Sequence, residues 1–379
     1  MVKLASTKGV TTMEYYIMNF DIPVVKFNIG RDEIFNTVEY GQYSVIRPDQ
    51  LPLGFTTVDA WLNARKAPKH RENIEMLLLQ CGIRDILGYI DVSLALTLTD
   101  AYWVKPIDSK LSFDQVNLYA NKFSKVVAHL AFDGTGLQGK KFSMTSPEIS
   151  TDGALAKCWV RSNGKIYLYK RGTTGASNTG FEPYSEFYAS QVLAAMGLTD
   201  YVNYNLKTYN GHTCSSCELF TTQDVGFVPA HNLGLSLHPG ELLKAYENIG
   251  CGDSFRSMVI FDSIVINDDR HLGNFGFLVN NKTSEIIKNA PIFDNGQSLL
   301  PYITEDKYAD IDEYIAQKGP RIGAEFVDIA RILMSSKEKS MVRELLNFKF
   351  KRHPKYNLND KRLDILEQLV RHQAQKILK

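Results

Sequence analysis

The side chains best suited to chemistry lie in a short polar segment, INDDRHLGN, at residues 266–274. It contains two neighbouring carboxylates, Asp268 and Asp269, and an amide at Asn274. Carboxylate and amide oxygens are the ligands that Mg²⁺ prefers, and phosphoryl transfer also needs a carboxylate near the nucleophilic hydroxyl. A strongly apolar predicted helix precedes the segment and a predicted strand follows it, so rigid elements would hold both ends. We therefore consider it a candidate site of phosphoryl transfer.

The spacing within this segment favours one aspartate over the other. In protein kinases the catalytic aspartate precedes a metal-binding asparagine by five residues, and Asp269 has that spacing to Asn274 whereas Asp268 does not. Asp and Asn also commonly form turns between a helix and a strand, and this alternative explains the loop equally well when it is taken alone. Short motifs often match by chance, so a second motif is needed to decide.

That second motif is FDNG at residues 293–296, which follows a predicted hairpin formed by FGFLVN and SEIIKN. It places Asp294 where protein kinases carry the metal-binding aspartate of Asp-Phe-Gly. Asn295 stands in place of the aromatic residue, so we do not expect an active/inactive switch based on phenylalanine. The presence of both motifs in this order makes coincidence the less favoured explanation.

With both motifs in place, the chain resembles the HipA-like kinase family. The resemblance extends from about Ser143 to the C-terminal helices, roughly two thirds of the 379 residues. It implies an ATP- and Mg²⁺-dependent serine/threonine protein kinase in which Asp269 is the catalytic aspartate and Asn274 and Asp294 bind Mg²⁺. It also implies a bilobal α+β fold of the protein-kinase type, with ATP between a strand-rich small lobe and a mainly helical large lobe.

The resemblance further implies a lysine and glutamate pair that holds the ATP phosphates. Lys170 ends the predicted strand KIYLYK and looks like that lysine, while Lys157 and Lys165 remain rivals in the same predicted hairpin. Glu186, in the helix predicted for residues 183–196, looks like its partner. Glu182 is the fallback, although a glutamate at a helix start is also explained by its favourable interaction with the helix dipole.

The segment CELF looks like the family's hinge, so the backbone of Glu218 and Phe220 is expected to pair with the adenine edge. His212, Cys214 and Cys217 lie close by, and H-x-C-x-x-C supplies three potential zinc ligands. No second pair of cysteine or histidine residues completes a structural tetrahedron, so zinc is the less favoured interpretation.

A loop at residues 150–157 carries one glycine, Gly153, and precedes a predicted strand. An ordinary surface turn explains it, but it also looks like the family's phosphate loop, in which autophosphorylation of a serine ejects the loop and inhibits the enzyme. Ser150 has that position, with Thr151 and Ser146 as less favoured acceptors. A phosphate there would repel bound triphosphate.

A change of composition near Gly134 predicts a domain boundary after an N-terminal α/β segment (1–133). The resemblance implies that the small lobe covers 134–224 and the large lobe 225–379. The first segment does not resemble the family's usual N-terminal subdomain. The predicted order within the second segment is strand, strand, helix, strand, strand. Predicted strands cover residues 15–29 (two, with a turn between them), 154–161, 165–170, 203–209 and 216–221, and predicted helices cover 57–65, 70–81, 113–132, 183–196, 241–248, 254–266, 323–334 and 337–347, followed by a C-terminal helix.

Composition excludes several other classes. The formal net charge is +1, so nothing global predicts direct binding to nucleic acid or an anionic membrane, and the basic run KFKRHPK at 349–355 is explained as solvated surface. No signal peptide or membrane span is apparent. Five scattered cysteines do not suggest a disulfide framework, which predicts a soluble cytoplasmic protein.

The expected partners are a protein substrate with a Ser or Thr acceptor and, by the resemblance, an antitoxin protein of a toxin-antitoxin system. A small-molecule kinase needs the same catalytic residues, and acceptor specificity lies in loops whose shape the sequence does not give. A non-catalytic nucleotide-binding module is a further alternative, against which the full set of candidate catalytic residues argues.

Overall fold

The computed structural model describes residues 10–135 and 146–379. Within these ranges the strands are β1 (Val10–Asn19), β2 (Ile22–Asp32), β3 (Thr37–Val45), β4 (Tyr102–Pro106), β5 (Lys157–Ser162), β6 (Lys165–Arg171), β7 (Tyr204–Tyr209), β8 (His212–Glu218), β9 (Val225–Pro229), β10 (Gly276–Asn280) and β11 (Ile286–Asn289). The helices are α1 (Val58–Ala64), α2 (Ile74–Gln80), α3 (Ile86–Ser93), α4 (Phe113–Val116), α5 (Lys125–Asp133), α6 (Glu182–Ala195), α7 (Pro239–Asn248), α8 (Gly252–Val265), α9 (Ile311–Ala316), α10 (Phe326–Leu333), α11 (Ser336–Arg343) and α12 (Asp360–Leu378). The predicted start of the family resemblance near Ser143 lies outside the described residues.

The described chain forms two compact units. The first comprises residues up to Asn163 together with 221–226 and 279–285, and contains an antiparallel sheet of order β3-β2-β1-β4. Alternate residues of its central strands are buried, including Ile17 in β1 and Phe27 in β2, as expected when one face of a sheet covers a core. Apolar residues of α1, α2, α3 and α5 complete that core.

The second unit comprises residues 164–220, 227–278 and 286–379. Its strands β6, β8 and β7 are neighbours in that order and antiparallel. Helix α8 lies within the helical core, where α7, α10 and α12 pack against it. Burial on nearly all sides explains why its sequence is apolar rather than amphipathic. A further sheet has the order β11-β10-β9.

The mixed α+β class and the order strand, strand, helix, strand, strand (β5, β6, α6, β7, β8) are confirmed. The hairpin at the N-terminus, the helix before the polar loop at 266–274 and the strand after it also occur where predicted, with bounds that differ by a few residues. The three-segment division at 133 and 224 remains a prediction. No helix in the described ranges is both long and apolar enough to cross a bilayer, and the five cysteines, all within these ranges, are free thiols.

The single helix predicted for 113–132 is wrong. The chain forms α4 and α5 with an irregular stretch between them, because asparagine side chains take over the backbone hydrogen bonds that a helix would make. Asn117 Nδ2 donates to the Phe113 carbonyl oxygen at 3.1 Å, and Asn117 Oδ1 accepts from the Ala120 N–H at 2.8 Å. Asn121 Nδ2 donates to the Asn117 carbonyl oxygen in the same way.

Candidate active site

Three of the predicted site residues meet around one buried ammonium group. Lys170 lies near the end of β6, opposite Ser215 of β8. Its Nζ is 2.7 Å from Glu186 Oε1 and 2.7 Å from Asp294 Oδ1. The Ser215 hydroxyl donates to the other carboxylate oxygen of Glu186, so that both oxygens of this buried side chain are used. A strand, a helix and a loop thus converge on Lys170.

The electrostatics of this cluster keep the lysine charged. Burial lowers the pKa of Lys170, but Asp294 and then Glu186 more than offset that effect and raise the pKa well above its ordinary value. Burial raises the pKa of Glu186, while the neighbouring ammonium of Lys170 acts in the opposite direction. An ion pair taken out of water is favourable only when further hydrogen bonds satisfy it, which Ser215 does here.

The two rival lysines have other partners. Lys157 Nζ donates to the carbonyl oxygen of Asp152 at 2.6 Å. Lys165 forms an exposed ion pair with Glu218 at 2.7 Å. Lys170 is therefore the lysine of this hairpin that the structure pairs with the predicted glutamate.

The fallback glutamate, Glu182, lies at the start of α6 and has a different structural role. Its Oε1 accepts hydrogen bonds from Thr173 Oγ1 at 2.6 Å and from the Tyr302 hydroxyl at 2.7 Å. Gly172 approaches this carboxylate so closely that a Cβ would lie 2.8 Å from Glu182 Oε2. Glu182 therefore fastens the loop that follows β6 and does not pair with Lys170.

The catalytic-loop candidate begins where α8 ends, at Ile266. This residue has a φ of 52°, which is unusual for a β-branched side chain and is the kind of backbone strain found at functional sites. Asn267 Nδ2 then donates to Asp262 Oδ1 at 2.9 Å, and Asn267 Oδ1 accepts from the Asp269 N–H. Asn274 Nδ2 donates to the Asp269 carbonyl oxygen at 3.1 Å, which makes its amide oxygen the candidate metal ligand.

The two aspartates of this loop differ in their surroundings. Asp268 pairs with Lys318 at 2.7 Å. The Asp269 carboxylate is 40% exposed and makes a longer contact, 3.5 Å, with Arg321 Nη2. Burial is the largest effect on the pKa of Asp269 and raises it, and although His271 and Arg321 lower it, the pKa remains above that of an ordinary aspartate. Asp269 is thus the more accessible of the two.

Arg270 was not assigned a role from the sequence, yet it connects the parts of the site. Its Nε and Nη2 form a two-point ion pair with Asp262 of α8, each at 2.9 Å. Its Nη1 donates to the carbonyl oxygens of Asn274 and Phe293 at 3.0 and 2.6 Å, and its Nη2 donates to Asn295 Oδ1 at 2.7 Å. The buried guanidinium therefore joins the helix, the catalytic loop and the Asp-Asn-Gly loop.

The Asp-Asn-Gly loop is held in an unusual backbone conformation. Asp294 has a φ of 55°, and its N–H donates to the hydroxyl of Tyr204 at 3.0 Å. Burial raises the pKa of Tyr204 well above its ordinary value, so this hydroxyl stays protonated. The donor set fits Mg²⁺, since the carboxylate of Asp294 and the amide oxygen of Asn274 are hard oxygen ligands and the metal would take further oxygens from phosphate and water.

The predicted hinge follows β8. Phe220 contacts the rings of Phe227 and Phe293, with centroids 5.7 and 5.3 Å away. The Leu219 N–H donates to the carbonyl oxygen of Ile166 at 2.8 Å, so it is already used within the fold. Pairing of the adenine edge with the backbone of Glu218 and Phe220, on either side of Leu219, stays a prediction.

The structure argues against the zinc interpretation. Cys214 and Cys217 lie three residues apart on β8, so their side chains point to opposite faces of the strand. Cys217 packs with Val202 and Tyr204 in a small apolar cluster, and burial raises its pKa to about 12. Within the described ranges, no group of three or more His, Cys, Asp or Glu side chains is arranged to hold a metal ion.

Ser150 and Gly153 belong to the first unit. The Ser150 hydroxyl donates to the carbonyl oxygen of Leu96 at 2.7 Å, and Gly153 has a φ of 92°. The alternative acceptors are also engaged: the Thr151 hydroxyl donates to Pro147, and the buried Ser146 donates to Glu148. Autophosphorylation at Ser150 therefore remains a prediction, and its hydroxyl lies within hydrogen-bond distance of the carbonyl oxygens of Leu96 and Pro147 in this conformation.

The chain is similar to a serine/threonine-protein kinase in sequence. No protein-family model matches the chain. The serine/threonine-protein kinase CtkA of Helicobacter pylori is 29% identical over 156 residues, which cover 35% of this chain and 47% of that protein. The chain thus spans about half the length of this curated relative. A crystal structure of the H. pylori proinflammatory kinase CtkA is 21% identical and covers 59% of this chain and 91% of that chain, with a TM-score of 0.45.

HipA of Shewanella oneidensis, solved in a complex with HipB and its operator DNA, covers 96% of this chain and 97% of its own, with 12% identity and a TM-score of 0.51. The chain has a HipA-like kinase fold. The resemblance inferred from the two motifs is therefore confirmed, and in fold it extends beyond the predicted two thirds, into the N-terminal residues. The expectation of no direct nucleic-acid contact gains no support, because the HipA complex contains DNA.

Proposed function

We propose that this chain is an ATP- and Mg²⁺-dependent serine/threonine protein kinase of the HipA type. The observation that carries the proposal is the position of Lys170 Nζ, 2.7 Å from both Glu186 and Asp294. Protein kinases place a strand lysine, a helix glutamate and the metal-binding aspartate together to hold ATP. Burying the Lys170 ammonium with two carboxylates removes three charges from water at a cost, so stability alone does not favour this arrangement.

In the proposed reaction, Asp269 accepts the proton of the acceptor hydroxyl as that oxygen bonds to the γ-phosphorus of ATP and the bond to ADP breaks. Asn274 and Asp294 hold Mg²⁺, which neutralises charge on the phosphates. Lys170, oriented by Glu186, provides the fixed positive charge for the phosphates. The exposed carboxylate of Asp269 is the one that an acceptor can reach.

The adenine would be recognised by the backbone of Glu218 and Phe220, since the intervening Leu219 N–H is already bonded to Ile166. The rings of Phe220, Phe227 and Phe293 form an aromatic cluster next to this strand end. Backbone recognition of this kind depends little on side-chain identity.

Regulation is proposed to act through Ser150. Phosphorylation would remove the hydrogen bond from its hydroxyl to Leu96 and add close to two negative charges, which favours release of the loop from its present conformation. An antitoxin protein is the proposed partner of the whole chain, because the HipA structure with the same fold contains HipB.

The test is incubation of the purified chain with Mg-ATP, followed by intact-mass measurement and peptide mapping. We expect one phosphate per chain within the peptide that contains Ser150, and none in a Ser150→Ala variant that still phosphorylates lysate proteins. Consumption of ATP with no phosphoprotein would favour a small-molecule kinase. ATP binding without turnover would favour a non-catalytic module and contradict the proposal.

A further inference from the structure

A polar pocket of about 470 Å³ opens beside the candidate catalytic aspartate. It is lined by Asp268, Tyr314 and residues 317–321, all in the second unit. Arg321 connects this pocket to the reaction site, since its Nη2 lies 3.5 Å from Asp269 Oδ1. An acceptor whose hydroxyl reaches Asp269 has this pocket next to it.

The two cationic side chains of the pocket, Lys318 and Arg321, differ in how closely they are paired with carboxylates. The Lys318 ammonium is 2.7 Å from Asp268 and also lies 5.8 Å from the centre of the Tyr314 ring, so its charge is balanced. The Arg321 side chain is 55% exposed, and its contact with Asp269 is long for an ion pair. With Asp268 neutralising Lys318, the positive charge that remains for a ligand in this pocket belongs to Arg321.

The pocket lining is mixed, with somewhat more polar than apolar surface. Besides the Tyr314 ring and Pro320, the lining consists of charged side chains, the Gln317 amide and the Gly319 backbone. Such a surface can accept a peptide segment, with its charged groups deciding which polar side chains of that segment are favoured. A guanidinium offers five N–H donors in a planar arrangement that matches a carboxylate or a phosphate.

We propose that this pocket binds the acceptor segment and that Arg321 selects acceptors with an acidic group close to the Ser or Thr. The inference rests on the proposed kinase function and names its substrate class. The acidic group would take over the Arg321 guanidinium, and the Asp269 carboxylate would then be available to the acceptor hydroxyl. In this structure the same arginine contacts Asp269, with Arg321 Nη2 3.5 Å from Oδ1.

The test uses a Ser/Thr-centred peptide library with one varied position at a time, Mg-ATP, and three enzymes: wild type, Arg321→Glu and Lys337→Glu. The last is a matched control, because Lys337 forms an exposed ion pair with Asp253 at the start of α8. That point is about 20 Å along the helix from the catalytic loop.

Wild type is expected to prefer Asp, Glu or phosphoserine over Lys or Arg at one or more positions by at least about tenfold in kcat/KM, which corresponds to one correctly placed charge pair. Arg321→Glu should reverse that preference, and Lys337→Glu should keep it. Comparison of phosphoserine with Asp and Glu tells whether the pocket takes a phosphate or a carboxylate.

An unchanged preference in Arg321→Glu would overturn the inference. An equal loss of kcat/KM with every peptide, together with a raised KM for ATP, would also overturn it, because Arg321 would then act on the nucleotide. If Arg321→Glu does not fold, Arg321→Gln must abolish the preference instead. A wild type that phosphorylates proteins without any acidic preference refutes the inference alone, whereas one that transfers phosphate to nothing refutes the proposed function as well.

Discussion

Lys170 is the most constrained of the candidate catalytic side chains. A buried ammonium requires partners, and Lys170 has Glu186 on α6 and Asp294 on the following loop, each at 2.7 Å. Movement of this lysine would break both ion pairs. We therefore expect its position to be largely set before ATP binds.

The first prediction compares two glutamates on one helix. Glu186→Gln removes the charge that orients Lys170, so we expect a higher KM for ATP and a fall in kcat/KM of about tenfold to a hundredfold, equivalent to roughly 1.4–2.7 kcal/mol. Glu182→Gln should affect the KM for ATP much less, since Glu182 binds Thr173 and Tyr302. Steady-state kinetics at varied ATP concentrations measures both effects. A larger effect of Glu182→Gln than of Glu186→Gln would show that Glu186 is not the functional partner of Lys170.

A pH profile tests the role of Asp269. Its pKa is raised above the ordinary value, chiefly by burial, and the carboxylate must be ionised to accept a proton. The rate should therefore fall as pH decreases through this raised pKa, so the acidic limb of kcat/KM should lie above the pKa of about 3.9 of an unperturbed aspartate. Arg321 lowers the pKa, so Arg321→Gln should move the limb to higher pH. A limb that does not move would contradict this assignment.

The sequence predicted most of these residues, but not Arg270. Asp269, Asn274 and Asp294 are proposed because kinase motifs fix their spacing, and Lys170 and Glu186 follow from the family resemblance. Arg270 lies inside the same motif, yet its bonds run to a helix and to a loop 23 residues later, which spacing does not reveal. One signal was present: Asp262 is a lone carboxylate within the apolar run MVIFDSIV, and a buried carboxylate needs a cationic partner.

Helix α8 and two loops are joined by hydrogen bonds to one guanidinium, that of Arg270. Arg270 bonds to Asp262 on the helix, to the backbone of the catalytic loop and to the Asp-Asn-Gly loop. Asn295, in the place of the aromatic residue of Asp-Phe-Gly, is buried and accepts one of these hydrogen bonds. The two loops are therefore connected by polar contacts at the position where protein kinases carry the phenylalanine of Asp-Phe-Gly.

This connection predicts the behaviour of an Arg270→Met variant. Asp262 would be left buried without its cation, which should lower the free energy of unfolding by about 3–5 kcal/mol. Adding Asp262→Asn should recover part of the stability, because the unpaired charge is removed, but not the activity, because the loops stay unconnected. Urea denaturation and phosphate transfer measure the two effects. Full activity in the double variant would refute a positioning role for Arg270.

The predicted elements were accurate where periodicity and flanking signals agreed, as in β6, α6 and α8. They failed for residues 113–132, whose apolar residues recur at helical spacing. Asn117 and Asn121 instead bond to the backbone and end the helix, so local side-chain chemistry outweighed the periodic pattern. An asparagine within a periodic apolar pattern does not by itself predict that a helix ends there.

At the scale of the whole molecule, the residues proposed for catalysis all belong to the second unit, while Ser150 and Gly153 belong to the first. The sequence motifs predicted the HipA-like fold of the second unit but not the likeness of the N-terminal residues, because the N-terminal residues carry none of these motifs. The fold is similar over 96% of the chain although only 12% of the residues are identical, so sequence comparison alone does not reveal this similarity.

A toxin role would be visible in the growth of cells that express the protein. If phosphorylation of a host protein arrests growth, expression of wild type should stop growth and expression of Asp269→Asn at the same level should not. Growth curves and immunoblots of both strains provide the measurement. Equal toxicity of the two proteins would exclude a mechanism based on kinase activity.

The central claim is that Asp269 is the catalytic carboxylate of a phosphotransferase. The most direct test is the rate of phosphate transfer from Mg-ATP by Asp269→Asn beside Asp268→Asn, two identical changes at neighbouring positions of one loop. We predict a loss of about 10²–10⁴-fold for Asp269→Asn, typical of a lost general base, and less than tenfold for Asp268→Asn, which breaks only the pair with Lys318. Wild-type rates in Asp269→Asn, or a larger loss in Asp268→Asn, would contradict the account.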